Sequence, residues 1–141
     1  MPTPAPQPEG SCLCKTVRYR ITGDVVNFQY CHCSRCRKFT GSAHAANLFT
    51  RPADLEWLQG EDVLGSYLLE GDPQFPTAFC STCGSAMPSM SSTGRFWVVP
   101  AGSLDTDPEV APRRSIFWGS RAPWFLDTGV LPRHEELPAD G

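Results

Sequence analysis

This chain has no long hydrophobic run. Across its 141 residues, no apolar stretch approaches the roughly 18 residues that a membrane-spanning helix needs. It also lacks an excess of positive charge. Twelve Lys and Arg stand against fifteen Asp and Glu, a net charge of -3, so no nucleic-acid footprint is expected. Residues Met1 to Glu9 lack the apolar core of a signal peptide. The expected compartment is therefore the cytoplasm, where disulfides are rare and clustered cysteines more often bind metal or react. A long helical period is missing too, and no internal repeat or domain boundary is visible.

What the chain does have is turn formers: 14 Pro and 12 Gly. Together with the missing helices, they predict a mainly β, turn-rich fold. Residues 1–9 alternate Pro with small or polar residues and read as a disordered tail, with order starting near Gly10. Val17, Tyr19 and Ile21 alternate with Arg18 and Arg20, the period of a half-buried strand. Val26, Phe28 and Tyr30 alternate again and run into Cys31. Ser34 is placed to cap a helical turn over residues 35–40, stopped by Gly41. Further strands are expected over residues 43–49, 55–58, 63–69, 75–80, 86–90, 95–99 and 115–118.

The richest signal is cysteine. Seven is an odd number, so a disulfide framework would leave one thiol over. They fall into three groups: Cys12/Cys14, Cys31/Cys33/Cys36 and Cys80/Cys83. The spacing Cys80-x-x-Cys83-Gly84 suits a tight turn that aims two sulfurs at one metal. Joined with Cys12 and Cys14, it makes a four-cysteine zinc site that clips the N-terminal strand to the middle of the chain. That partition leaves Cys31, Cys33 and Cys36 one ligand short. The triplet either keeps its fourth position open for a substrate or takes His32 or His44 to close a site of three cysteines and one histidine. Arg35, Arg37 and Lys38 lie beside it, and cations lower a thiol's pKa.

Gly10-Ser-Cys-Leu-Cys14, Cys31-His-Cys-Ser-Arg-Cys-Arg37 and Phe79-Cys-Ser-Thr-Cys-Gly-Ser85 resemble the glutathione-dependent formaldehyde-activating family, the GFA/CENP-V domain. Val99 to Asp105 and Ile116 to Trp124 are similar to later signatures of that family. The resemblance covers residues 10–132 as a single zinc domain and leaves 133–141 as a C-terminal tail. It implies a β-tent of antiparallel sheets joined near a structural zinc held by four cysteines. Its implied structural ligands are Cys12, Cys14, Cys80 and Cys83. The implied second, exchangeable Zn2+ sits on Cys31, Cys33 and Cys36, which are also the implied catalytic set. The implied activity is that of a carbon–sulfur lyase, condensing glutathione with formaldehyde to S-(hydroxymethyl)glutathione. A small thiol and a small aldehyde are then the partners, with neither nucleic acid nor membrane. Many family members have Gly where this chain has Lys15.

His32, Ser42 and His44 are proton-donor candidates by closeness in sequence. Arg37, Lys38 and Arg121 are candidates to meet substrate carboxylates. Trp118 and Trp124 are candidates to wall a pocket or to pack in the interior. The main rival function is a non-catalytic zinc-stabilised module that binds a partner or carries the adduct. Thiol redox chemistry at Cys33-x-x-Cys36 is a second, but no βαβ pattern surrounds that pair.

Overall fold

The alternating runs become eleven short strands, one helix and five single 3-10 turns in a computed structural model that describes residues 7–139. Residues 1–6 of the expected tail, and residues 140–141 of the C-terminal one, lie outside the described residues. At its inner end the tail is shorter than expected. Pro8 is buried and its carbonyl accepts from the Ile21 amide at 2.8 Å. Strand β1 (Glu9–Ser11) follows at once, and Arg20 Nη2 reaches Glu9 Oε1 at 2.9 Å. Proline lacks an N–H but keeps its acceptor, so a proline can enter a sheet at a strand's first residue.

Three sheets form. β1 pairs with β2 (Arg18–Ile21), which pairs with β5 (Leu55–Gln59). The second sheet runs β11 (Ser115–Ile116), β3 (Val25–Cys31), β4 (Ala45–Thr50), β10 (Trp97–Pro100) and β9 (Ser89–Met90). The third runs β6 (Leu64–Leu69), β7 (Phe75–Cys80) and β8 (Ala86–Met87). All neighbours are antiparallel except β11, which lies parallel to β3. The mainly β, antiparallel expectation holds.

Four local expectations shift. The run 86–90 is two strands in two sheets, because Pro88 between them offers no ladder donor. The strand expected over 95–99 starts two residues later, at Trp97. The strand expected over 115–118 stops at Ile116, where Phe117 takes the left-handed region at φ 53°. Helix α1 (Ser34–Thr40) is capped by Cys33, whose sulfur accepts from the Cys36 amide at 3.3 Å, and not by Ser34.

Tyr19, Ile21, Phe28, Leu48, Met87 and Val99 make the main core, with Cys12 and Cys80 part of it. Cys31, Cys36 and Ala45 form a second, smaller buried cluster, against which Phe75 and Ile116 pack. The two cysteine groups thus sit in separate apolar surroundings. One is anchored by β1–β2 and β7, the other by the end of β3 and the start of α1.

Candidate metal centres

Two knuckles build the first centre. In one, the Cys12 amide bonds the Val17 carbonyl at 3.0 Å, and the Lys15 amide bonds the Cys12 carbonyl at 3.0 Å. In the other, the Cys80 amide bonds the Ser85 carbonyl at 2.9 Å, and the Gly84 amide bonds the Cys80 carbonyl at 2.7 Å. Gly84 sits at φ 79°, where a side chain would be strained. The Leu13 amide donates to Ser85 Oγ at 2.9 Å and stitches the knuckles together. The result brings four sulfurs within 4.8 Å of one another, with Cys12 to Cys14 at 3.6 Å and Cys14 to Cys80 at 3.9 Å. Zinc–sulfur bonds of about 2.3 Å at tetrahedral angles put sulfurs roughly 3.8 Å apart. The donor set therefore fits a closed tetrahedral ion. The amide of Val17 points at the Cys12 sulfur from 3.2 Å, and the Ser85 hydroxyl lies 3.2 Å from the Cys83 sulfur. That hydroxyl draws the Cys83 thiol down to about 5, while burial pushes Cys12 up.

The second centre is made by the strand-to-helix turn after β3. Cys31 ends the strand, Cys33 caps the helix and Cys36 lies in its first turn, so three sulfurs converge within 4.8 Å. Among the described residues no His, Asp or Glu joins them. A hydrogen bond from the Cys36 thiol draws Cys31 down to about 6, and holding that proton pushes Cys36 up. Deprotonating all three would crowd like charges together, which a divalent cation relieves. The set fits a soft thiolate-seeking metal with one position left over.

Neither histidine near the triplet fills that position. His44 stacks on Tyr30 at 4.2 Å between centroids, and its Nδ1 faces the Ala45 carbonyl at 3.1 Å. His32 is 1% exposed and meets Trp118 and Phe125 edge-on at 5.1 and 5.0 Å. Burial pushes its pKa down, which keeps the ring neutral. Trp118 thus packs against the histidine while staying 45% exposed, and Trp124 is 65% exposed. The segment carrying them reaches the triplet because β11 lies beside β3, with the His32 amide donating to the Ile116 carbonyl at 3.0 Å.

A cleft of about 890 Å3 touches both centres, with Cys12 of the first and Cys36 of the second among its lining residues. This is within the range of about 300–1,000 Å3 typical of small-molecule sites. Phe39, Phe75, Pro76 and Met87 give it apolar walls, and Ser11, Ser85, Ser89 and Ser103 give it hydroxyls. Among its lining residues are neither His32, Ser42 nor His44, nor any of Arg37, Lys38 and Arg121. The charged groups there are Lys15 and Asp105, which the sequence reading did not single out as a pair. Ninety positions separate them, and only the pairing of the 101–106 segment with β1 joins them: the Asp105 amide donates to the Glu9 carbonyl at 2.8 Å.

A sequence model of the family described as glutathione-dependent formaldehyde-activating enzyme matches residues 7–120. A Halomonas elongata protein assigned by name to these enzymes is 32% identical over 111 residues, covering 75% of this chain and 71% of that protein. A crystal structure of a Rhodobacter sphaeroides protein superposes with a TM-score of 0.59 at 22% identity, covering 76% of this chain and 98% of that one, which speaks for a shared fold alone. Matched over most of its length and with a relative at 32% identity, this chain belongs to the glutathione-dependent formaldehyde-activating enzyme family.

Proposed function

We propose that this chain joins a small thiol, glutathione, to formaldehyde at the Cys31/Cys33/Cys36 centre, as a lyase-class enzyme of the cytoplasm. The observation that carries the reading is three converged sulfurs, without a fourth ligand among the described residues, one of them belonging to Cys36, which lines a ligand-sized cleft. Membership of the family supports the choice of thiol and aldehyde. In this reading Cys12, Cys14, Cys80 and Cys83 hold a structural Zn2+, and Cys31, Cys33 and Cys36 hold a second. When bound, the second ion would lower the pKa of an incoming thiol and hold it as thiolate.

The chain's own residues do the rest by position. Cys33 is fixed by the helix amide it caps, and Cys31 by the β3 ladder, so the sulfurs are aligned before substrate arrives. Phe39 and Phe75 line the cleft together with Cys36 and give it apolar surface. A thiol seated there meets the aldehyde in a fixed geometry, and the bimolecular encounter becomes a positioned one. In the net reaction a carbon–sulfur bond forms, the carbonyl becomes a hydroxyl, and the proton lost by the thiol ends on that oxygen. No histidine among the described residues lines the cleft, so in this reading the proton travels through water.

Elemental analysis under graded chelation tests the reading. It predicts two zinc ions per chain, one leaving under a mild chelator with the fold retained. A single tightly held ion would defeat it.

A further inference from the structure

Lys15 occupies a conformation that favours glycine. Its φ is 68°, one of only three positive values at non-glycine residues among those described. The tight turn from Cys12 imposes this, because the Lys15 amide must reach the Cys12 carbonyl. A side chain at such a position is strained, and here it is a long cationic arm that lines the cleft. Its Nζ lies 3.2 Å from Ser11 Oγ and 3.5 Å from Asp105 Oδ1, two contacts that leave the third ammonium hydrogen free. Asp105 is held from the other side, its Oδ2 accepting from the Ser11 hydroxyl at 2.5 Å. The lysine remains 68% exposed and the aspartate 45%. A pair this open is weak as an internal clamp. It leaves a cation and an anion side by side, facing the same cleft as Cys36.

We propose that Lys15 and Asp105 form a recognition dyad for the α-amino-acid end of a thiol substrate, Lys15 taking its carboxylate and Asp105 its ammonium. The inference rests on the thiol reading above, since it supposes that the sulfur is directed toward Cys36. A γ-glutamyl thiol has the required shape: a zwitterion at one end, a sulfur further along and a polar amide backbone between. The cleft offers the matching set of groups: the Lys15/Asp105 pair, seryl hydroxyls, and apolar walls that include Phe39 and Phe75 together with Cys36. The dyad makes Lys15 a specificity residue, because a thiol without the zwitterion would gain nothing from it. Charge-assisted bonds to a carboxylate are stronger than neutral ones, so their loss should be visible in affinity.

Calorimetric titration of zinc-loaded protein with three thiols tests this. Glutathione and γ-glutamylcysteine carry the free zwitterionic end, while cysteinylglycine lacks the γ-glutamyl group. Wild type should bind the first two at least about tenfold more tightly than the third, a gap of about 1.4 kcal/mol. In Lys15→Gly, which removes the ammonium and also relieves the backbone strain, that advantage should vanish while cysteinylglycine binds as before. Lys15→Glu should turn the preference against the γ-glutamyl thiols, and circular dichroism of both variants should match wild type. If the advantage persists in Lys15→Gly, or never exists while all three thiols bind, the dyad is only a surface ion pair and the thiol reading survives. If none of the thiols binds wild type, the thiol reading falls and the dyad with it.

Discussion

Tyr19 links three parts of the chain through one side chain. It is fully buried, and burial pushes its phenol pKa up, which keeps the hydroxyl neutral. Ser103 gives its own hydrogen to the Pro100 carbonyl at 2.7 Å, so the phenol donates to Ser103 Oγ at 2.5 Å. The hydroxyl end of the ring crowds Gly10, where an added methyl carbon would stand 2.3 Å from Tyr19 Cζ. That contact explains why a glycine opens the first cysteine motif. Gly84 has the opposite reason: open space around it but φ at 79°. Gly10→Ala should therefore cost about 3 kcal/mol through overpacking, and Gly84→Ala about 1 kcal/mol through backbone strain alone. Urea unfolding of the two variants checks the order. Equal costs, or a larger cost at Gly84, would contradict it.

Among the elements, the β6–β7 hairpin is the one whose tip crosses to the triplet. Phe75 packs against the buried Cys31/Cys36 cluster, and Arg35 Nη1 in α1 donates to the Pro73 carbonyl at 2.7 Å. Most of β6 faces solvent, so this tie is a principal hold on the tip. Arg35→Ala should speed amide exchange over residues 70–75 by about tenfold, the loss of one charge-assisted bond, while β3 and β4 stay protected. Hydrogen exchange read by mass spectrometry would show it, and uniform protection would count against the tie.

Strands such as β2, β3 and β7 were legible in the sequence because alternation and flanking turns act locally. β1 was not, because its partners are Arg18–Arg20 and the segment near Leu104, and a proline-rich start hides it. The break at Pro88 was legible in principle, since proline removes a ladder donor. The grouping of the cysteines was readable from spacing alone, and the structure brings together the same four and the same three. What spacing could not reveal was the cleft. Arg37, Lys38 and Arg121 were the cations offered for substrate carboxylates, yet Lys15 is the one that lines the cleft, joined to Asp105 by a contact across ninety positions.

For the whole molecule, the two centres carry different weight. The Cys12/Cys14/Cys80/Cys83 group joins β1–β2 to β7, with Cys12 and Cys80 inside the main core, whereas the triplet lies within one continuous stretch of six residues. A structural zinc contributes about 10–16 kcal/mol to folding, as much as the roughly 5–15 kcal/mol that holds a domain together. Cys83→Ser should therefore abolish cooperative unfolding, and Cys33→Ser should keep the fold while losing thiol binding. Thermal melts followed by circular dichroism separate the two, and equal damage from both would refute the division. The most direct test of the account is optical. Cobalt(II) loaded into both centres should give a thiolate-to-metal absorption that rises when glutathione is added, by the increment of a single extra thiolate per chain. An unchanged spectrum at saturating glutathione would mean that the triplet has no position to offer, and the proposed chemistry would have no place to occur.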